Sequence, residues 1–405
     1  MRILINSINY HPELTGIGKY TGEMAEWLVG KGCDVRVISA PPYNPAWEVS
    51  KGYSAMWYRK ENMEGVQVKR CPLWVPKQPT GLKRILHLAS FALTSLPGML
   101  WNALVWRPDL IFVVEPPLLC QPGALLAARL CKACAWLHIQ DFEVDAAFEL
   151  GILKSLRLRR MVQTVEEWLM KRFDRVSSIS DRMLDKLSEK GVRRDRQVLF
   201  QNWVDTDRIR PVESKTAFRA ELGIPNAVII LLYSGVMGKK QGLEIVVDAA
   251  KMLRNRKDIY FLMCGDGFVR KGLEESSQHL ENIKYIPLQP LDRLNDLLNA
   301  ADIHLMPQRA GAEDLVMPSK LTNMVASGRP VVATAAVGTQ VGSVVQKCGI
   351  VVDPGDLDAF VEAIERLADN KEYRKYLGES GRRLAEESWE KENILSTVFV
   401  NYVSG

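Results

Sequence analysis

The chain has 405 residues, 47% of them hydrophobic and 25% charged, with a formal net charge of +5. That length exceeds one ordinary core, so two domains are expected, and the composition excludes a disordered or fibrous protein. The mild basic excess suits anionic ligands or an anionic membrane surface, without the dense Lys/Arg clusters of a nucleic-acid binder.

Residues 2–8 read as a strand, followed by a helix over 19–30 with Tyr20, Met24, Trp27 and Leu28 on one face. Met1-Arg2 runs straight into that strand, so no signal peptide is expected. Strands follow at 34–40, 66–71 and 109–115, the second after a Pro/Tyr/Trp-rich loop at 41–58. Residues 85–106 carry no Asp, Glu, Lys or Arg and are flanked by Lys83-Arg84 and Arg107. Pro97-Gly98 should split this stretch into two short helices, read as a half-buried surface element that touches a membrane. The pattern continues with a helix at 123–134, a strand at 135–140, a helix at 161–173, a strand at 175–180, a helix at 181–190 and a strand at 197–202. Continuous apolar strands between helices mean a parallel sheet covered on both faces. The seven cysteines lie in apolar runs, and Cys131 and Cys134 lack the second pair or nearby histidine of a zinc site, so they read as core residues.

Around 203–215 the pattern loosens and turns polar. It then restarts with strands at 228–234, 259–265, 283–288, 303–307, 331–335 and 350–352, interleaved with helices at 243–253, 291–301, 319–327 and 357–368. The expected architecture is therefore α/β, with two facing Rossmann-like doubly wound domains and a cleft between them. Their spans are 1–203 and 216–388, joined by a linker at 204–215. A final helix at 389–405, carrying Trp389, Phe399 and Tyr402, crosses back onto the first domain. Ligands of such sheets bind at the carboxyl ends of the strands.

Five motifs sit at those ends. Gly16 and Gly18 open the first helix and would let backbone approach a phosphate or sugar. The third glycine of a dinucleotide fingerprint is missing, as is an acid after the second strand, which argues against NAD. Asp141 ends a buried strand, where a carboxylate either serves a site or caps the next turn; neighbouring His138 reads as a core histidine. In the second half, Gly235, Lys239, Lys240 and Gln241 mirror the first loop and offer amides and cations to a diphosphate. Gly265, Asp266 and Gly267 form a further turn suited to a sugar ring. Ser319 caps a helix whose Leu321, Met324 and Val325 face a core, while Lys320, Asn323 and Ser327 share the other face. Lys320 beside a helix N-terminus is placed to hold a phosphate, and Glu313 or Asp314 just before it would read hydroxyl groups. Asp205 and Asp207 form a DxD in the linker, away from any strand end, and are not assigned a metal.

These strings resemble a family. The first loop PELTGIGKY, Asn202-Trp203, YSGVMGKKQGLE over 233–244 and PSKLTN over 318–323 look like the retaining GT-B glycosyltransferases. HIQDFEVDA over 138–146 and VPKQP over 75–79 resemble the colanic acid biosynthesis subgroup. The resemblance implies a GT-B fold and transfer of a sugar from a nucleotide sugar to a lipid-linked saccharide. It places that reaction on the cytoplasmic membrane face, with retention of configuration and no metal or other cofactor. GDP-fucose is the first-choice donor and a UDP-sugar the alternative. Asp141, Lys240 and Lys320 are the expected catalytic residues. Gly16, Gly18, Gly235, Lys239, Gln241, Gly265, Asp266, Gly267, Glu313, Asp314, Ser319, Leu321 and Asn323 are the expected donor contacts. The chain departs from the family in three places: Asn323 stands where a ribose-binding Glu is usual, Gln140 where a His is common, and Gln241 where a Lys is. Two other classes share the architecture or the setting: nucleotide-sugar epimerases, and non-catalytic nucleotide- or lipid-binding partners of a polysaccharide complex.

Overall fold

A computed structural model describes residues 1–13, 16–44, 46–77, 81–145, 156–212, 217–310, 319–336 and 338–403. The chain forms two units, one of residues 1–202 and 394–405, the other of residues 203–393.

The first unit is an eight-stranded sheet. Its strands are β1 (Arg2–Asn6), β2 (Asp34–Ser39), β3 (Arg59–Met63), β4 (Val66–Arg70), β5 (Leu110–Glu115), β6 (Cys134–Ile139), β7 (Arg175–Ser178) and β8 (Gln197–Leu199). Their order is β3-β4-β2-β1-β5-β6-β7-β8. All neighbours are parallel except β3 and β4. The sequence pattern missed β3 because RKENM is charged and lies exposed at the edge. A tight turn with Glu64 at φ 48° and Gly65 at φ 83° folds it onto β4. The helices are α1 (Gly16–Gly30), α2 (Leu82–Trp101), α3 (Gln121–Cys131), α4 (Leu156–Met170) and α5 (Asp181–Glu189).

Contrary to the sequence expectation, α2 is one helix running through Pro97. Proline there deprives the Leu93 carbonyl of its partner. Leu93 and Pro97 both lie on the exposed face, where water can replace the lost bond. The opposite face packs on the sheet, and Gly98 leaves room for Ile38 and Lys69. α2 and the widened turn Asn102–Trp106 together are long and apolar enough to span a bilayer, yet one side is committed to the core.

The second unit has six parallel strands: β9 (Ile229–Ser234), β10 (Ile259–Cys264), β11 (Ile283–Ile286), β12 (Ile303–Met306), β13 (Val331–Thr334) and β14 (Gly349–Val352). They are ordered β11-β10-β9-β12-β13-β14. Its helices are α6 (Ala217–Leu222), α7 (Glu244–Met252), α8 (Arg270–Ser277), α9 (Leu294–Ala300), α10 (Ser319–Ala326), α11 (Gln340–Val345), α12 (Leu357–Asp369) and α13 (Lys371–Ser388). α14 (Lys391–Val398) and α15 (Val400–Val403) end the chain. The expected linker is different: Val204 and Ile209 are buried in this unit's core, and Arg382 holds the carbonyls of Thr206 and Ile209. Asp205 caps its own turn through the Arg208 N–H and faces Lys391.

The terminal segment also divides later than the pattern suggests. Trp389 packs in the second core, while Phe399 joins Phe112, Trp136 and Phe200 of the first unit at ring separations of 6.1, 5.5 and 5.7 Å.

Candidate active site

In the second unit the winding reverses between β9 and β12, so the loops after these strands diverge and leave a crevice. The loop after β9 begins at Gly235, whose N–H donates to the Cys264 carbonyl at 3.0 Å. Met237 N–H donates to the Asp266 carbonyl and Val269 N–H to the Met237 carbonyl, lacing this loop to the one after β10. A Cβ on Gly265 would lie 1.9 Å from the Gly235 oxygen, and one on Gly267 2.4 Å from the Met237 oxygen. These glycines were expected to face a sugar. In the structure their missing side chains let two backbone loops touch, and Asp266 Oδ1 accepts the Gly267 N–H.

Lys320 lies on the first turn of α10. Its ammonium sits 4.9 Å from the centroid of the Tyr233 ring, and its Cδ would meet a Cβ on Gly235 at 3.6 Å. The Tyr233 hydroxyl in turn donates to the Val236 carbonyl at 2.6 Å. Gly235, Tyr233 and Lys320 therefore form one contiguous surface, although far apart in sequence. Lys239 and Lys240 are exposed on the same loop, with the Lys239 ammonium 4.9 Å from the Phe268 ring. Gln241 folds back so that its Oε1 occupies the space above Gly238.

Arg309, which the sequence pattern passed over, completes the cationic edge. Its N–H donates to the Lys240 carbonyl at 3.1 Å, its Cγ fills the space above Gly242, and its guanidinium meets Glu244 at 2.7 Å. Its one signal in the sequence is a basic residue shortly after the strand that borders the crevice.

Leu321 was grouped with the donor contacts, but its side chain is wholly buried in the core. Ser327 was placed on the Lys320 face, yet it is buried against His304, with Oγ 3.0 Å from Nε2. Asn323 is half-buried on α10, and Ser319 opens the helix. Glu313 and Asp314 lie outside the described residues.

In the first unit, Gly16 begins α1 at φ 57° with open space above it. Gly18 instead makes room for Glu13, whose Cβ lies 2.8 Å from where a Gly18 Cβ would stand. Glu13 is buried and accepts from the N–H groups of Tyr43 and Asn44, both at 2.9 Å, and from Asn9 at 2.8 Å. Burial raises its pKa while these bonds oppose the shift. Glu13 thus ties the loop after β1 to the loop after β2. Arg70 reinforces it from below, bonded to Glu61 and to the carbonyls of Ala40 and His11.

At the end of β6, Gln140 and Asn202 exchange side-chain amide bonds at 3.0 and 3.1 Å. His138 lies between Gln140 and Ser177, and burial lowers its pKa to about 3. It is a neutral core histidine. Asp141 emerges exposed just beyond. Behind it lies a group the sequence did not reveal: Glu115, Glu143 and Glu166, with Lys190 bonded to Glu166 at 2.5 Å. Burial, then the charges of Glu166 and Glu143, push the Glu115 carboxyl well above its usual range.

Two Rossmann-like units, the second with glycine loops and lysines at its switch point, give the chain the architecture of a GT-B glycosyltransferase. Residues 15–203 match the glycosyl transferase 4-like domain and residues 214–384 the glycosyl transferases group 1 domain. The chain is 42% identical, over the full length of both proteins, to "Putative colanic acid biosynthesis glycosyl transferase WcaI" of Escherichia coli strain K12. Among solved structures it resembles sucrose-phosphate synthase from Thermosynechococcus elongatus, with a TM-score of 0.76 at 18% identity, covering 99% and 98% of the two chains. It also resembles Anabaena Alr3699/HepE in complex with UDP-glucose, with a TM-score of 0.67 at 14% identity over the whole of both chains. The chain belongs to the GT-B glycosyltransferases, in the colanic acid biosynthesis subgroup.

Proposed function

We propose that this enzyme transfers a sugar from a nucleotide sugar to a lipid-linked saccharide during assembly of a colanic acid-like exopolysaccharide. It works with retention of configuration and without a metal ion. GDP-fucose is the first donor to test and a UDP-hexose the second. The reading places the protein in the cytoplasm, on the inner face of the membrane.

The observation that carries it is the placement of Lys320 over Tyr233 and against Gly235, on the first turn of α10. As the glycosyl bond breaks, negative charge gathers on the departing diphosphate. A fixed ammonium, helix N-terminal amides and the exposed Lys240 stabilise that charge more than they stabilise the bound donor, which lowers the barrier. The acceptor hydroxyl attacks from the face the diphosphate leaves, and its proton passes to a leaving phosphate oxygen. Asp141, exposed at a strand end, orients that hydroxyl.

Calorimetric titration with GDP, UDP, GDP-fucose and UDP-glucose identifies the nucleotide. Lys320→Ala should then weaken transition-state stabilisation by about 2–4 kcal/mol, the scale of one preorganised partner of a developing anion. A Lys320→Ala enzyme with unchanged kcat and KM would remove the diphosphate from this position. Epimer formed from the donor without any acceptor would favour an isomerase instead.

A further inference from the structure

The loops after β2 and β4 enclose, together with α2, a pocket of about 790 Å3. That lies within the range of small-molecule sites, roughly 300–1,000 Å3. Its walls are mainly apolar, with Trp47, Val49, Met56, Leu73, Trp74 and Val75. They are held in place by α2. Thr94 donates to the Pro72 carbonyl at 2.7 Å, Ser90 accepts the Trp74 N–H at 3.0 Å, and His87 Nδ1 lies 2.7 Å from the Trp74 carbonyl. Trp47 stacks near Tyr43 and His87, at 5.6 and 5.1 Å, with its backbone at φ 53°. A tryptophan in the left-handed region is costly and is found where the surroundings demand that side chain in one place.

The pocket opens onto an apolar surface that no core requires. Ser90, in its floor, sits four residues after Leu86 and three before Leu93, so all three share one helix face. Leu86 is 50% exposed, Leu93 71%, and the same helix and its following turn expose Trp101 and Leu104. Met56, in the pocket wall, is 75% exposed, and its chain neighbour Trp57 76%. A soluble surface rarely leaves so many large apolar side chains together. Cations stand at the other end. Lys77 lines the pocket, and Lys83 and Arg84 occupy the first turn of α2. The charge of Arg84 is felt at Tyr43, His87 and Glu143. It therefore lies beside the aromatic wall, toward the carboxyl ends of the strands.

We infer that this pocket receives the phosphate-proximal part of a single apolar lipid chain, its phosphate held by Lys77 and Arg84 and its remainder leaving along the exposed face of α2. The inference rests on the reading that the acceptor is lipid-linked. It assigns the lipid a seat of its own in the first unit, separate from the donor-binding residues of the second.

The test uses the full-length protein and farnesyl phosphate, with farnesol and inorganic phosphate as part-ligands, in a tryptophan-fluorescence titration. Farnesyl phosphate should bind at least tenfold more tightly than either part. Ala46→Trp, a filling substitution at an exposed wall residue, should weaken it at least tenfold. Arg84→Gln should weaken farnesyl phosphate at least fivefold and leave farnesol unchanged. Farnesyl phosphate that binds no better than its parts, or is indifferent to Ala46→Trp, overturns the inference. So does binding to phosphatidylglycerol vesicles that is lost in Leu93→Glu but accompanied by no farnesyl phosphate binding, because the face would then be a membrane surface only. A nucleotide titration on the same samples separates the two readings. Nucleotide binding without farnesyl phosphate binding sinks the pocket alone, whereas absent nucleotide binding sinks the transferase reading.

Discussion

Gly265→Ala should disable the second unit's crevice through backbone contact alone. A Cβ at residue 265 would stand 1.9 Å from the Gly235 oxygen and 3.0 Å from its carbonyl carbon. Neither atom belongs to a side chain that can swing away. Residue 265 also has φ 149°, a conformation nearly restricted to glycine. The backbone conformation costs about 1–3 kcal/mol, and overpacking adds roughly 1–3 kcal/mol. The sum is about 2–6 kcal/mol, and relief requires the Gly235 loop, which packs against Lys320, to shift. Guanidinium denaturation of the full-length chain, followed by circular dichroism, measures the first effect, and nucleotide titration of the folded variant the second. Gly272→Ala is the control: it lies within α8 with nothing within 4 Å of its added Cβ. It should stabilise by about 0.5–1 kcal/mol and leave nucleotide affinity unchanged. If Gly265→Ala matched wild type in both stability and nucleotide affinity, the close approach of the two loops would be wrong.

Phe399→Ala removes a wholly buried ring from the Phe112, Trp136 and Phe200 cluster and should cost about 3–5 kcal/mol, read in the same denaturation assay. His138 and His304 have pKa values lowered to about 3 by burial, so the unfolded chain binds their protons first. Their neutral forms stabilise the fold fully above about pH 6.5, and this is lost as pH falls from there toward 3, up to about 4–5 kcal/mol for each. His304→Gln, compared with wild type at pH 8 and pH 4, should show a smaller loss; equal losses would refute the assignment. Glu115 has the opposite sign. Its raised folded pKa means its contribution is present below about pH 4.5 and is lost as pH rises. Glu115→Gln should therefore raise the denaturation midpoint at pH 8 and have little effect at pH 4.

Local pattern was enough to place most strands and helices, because each buried strand is a continuous apolar run and each flanking helix carries a periodic apolar face. The same logic located the Gly235 loop at a strand end and Lys320 at a helix start. It failed where burial depends on distant partners. Charged β3 forms only because β4 offers it an edge. Pro97 is tolerated because its helix turns that side to solvent. Val204 reads as linker but is core because α13 and the residues after it close over it.

Periodicity and backbone permissiveness are local properties, so two doubly wound units, with glycines and lysines clustered after their strands, were legible residue by residue. Which of those residues meet depends on how the chain folds over itself. Gly265 and Gly267 turned out to serve loop-to-loop contact, Gly18 to accommodate Glu13, and Ser327 to be interior. Arg309 emerged as a neighbour of Lys240, and α2 as a helix with one face unclaimed by any core. Which atoms lie within a few ångströms is fixed by strand order and loop crossing, which bring together residues the chain keeps far apart.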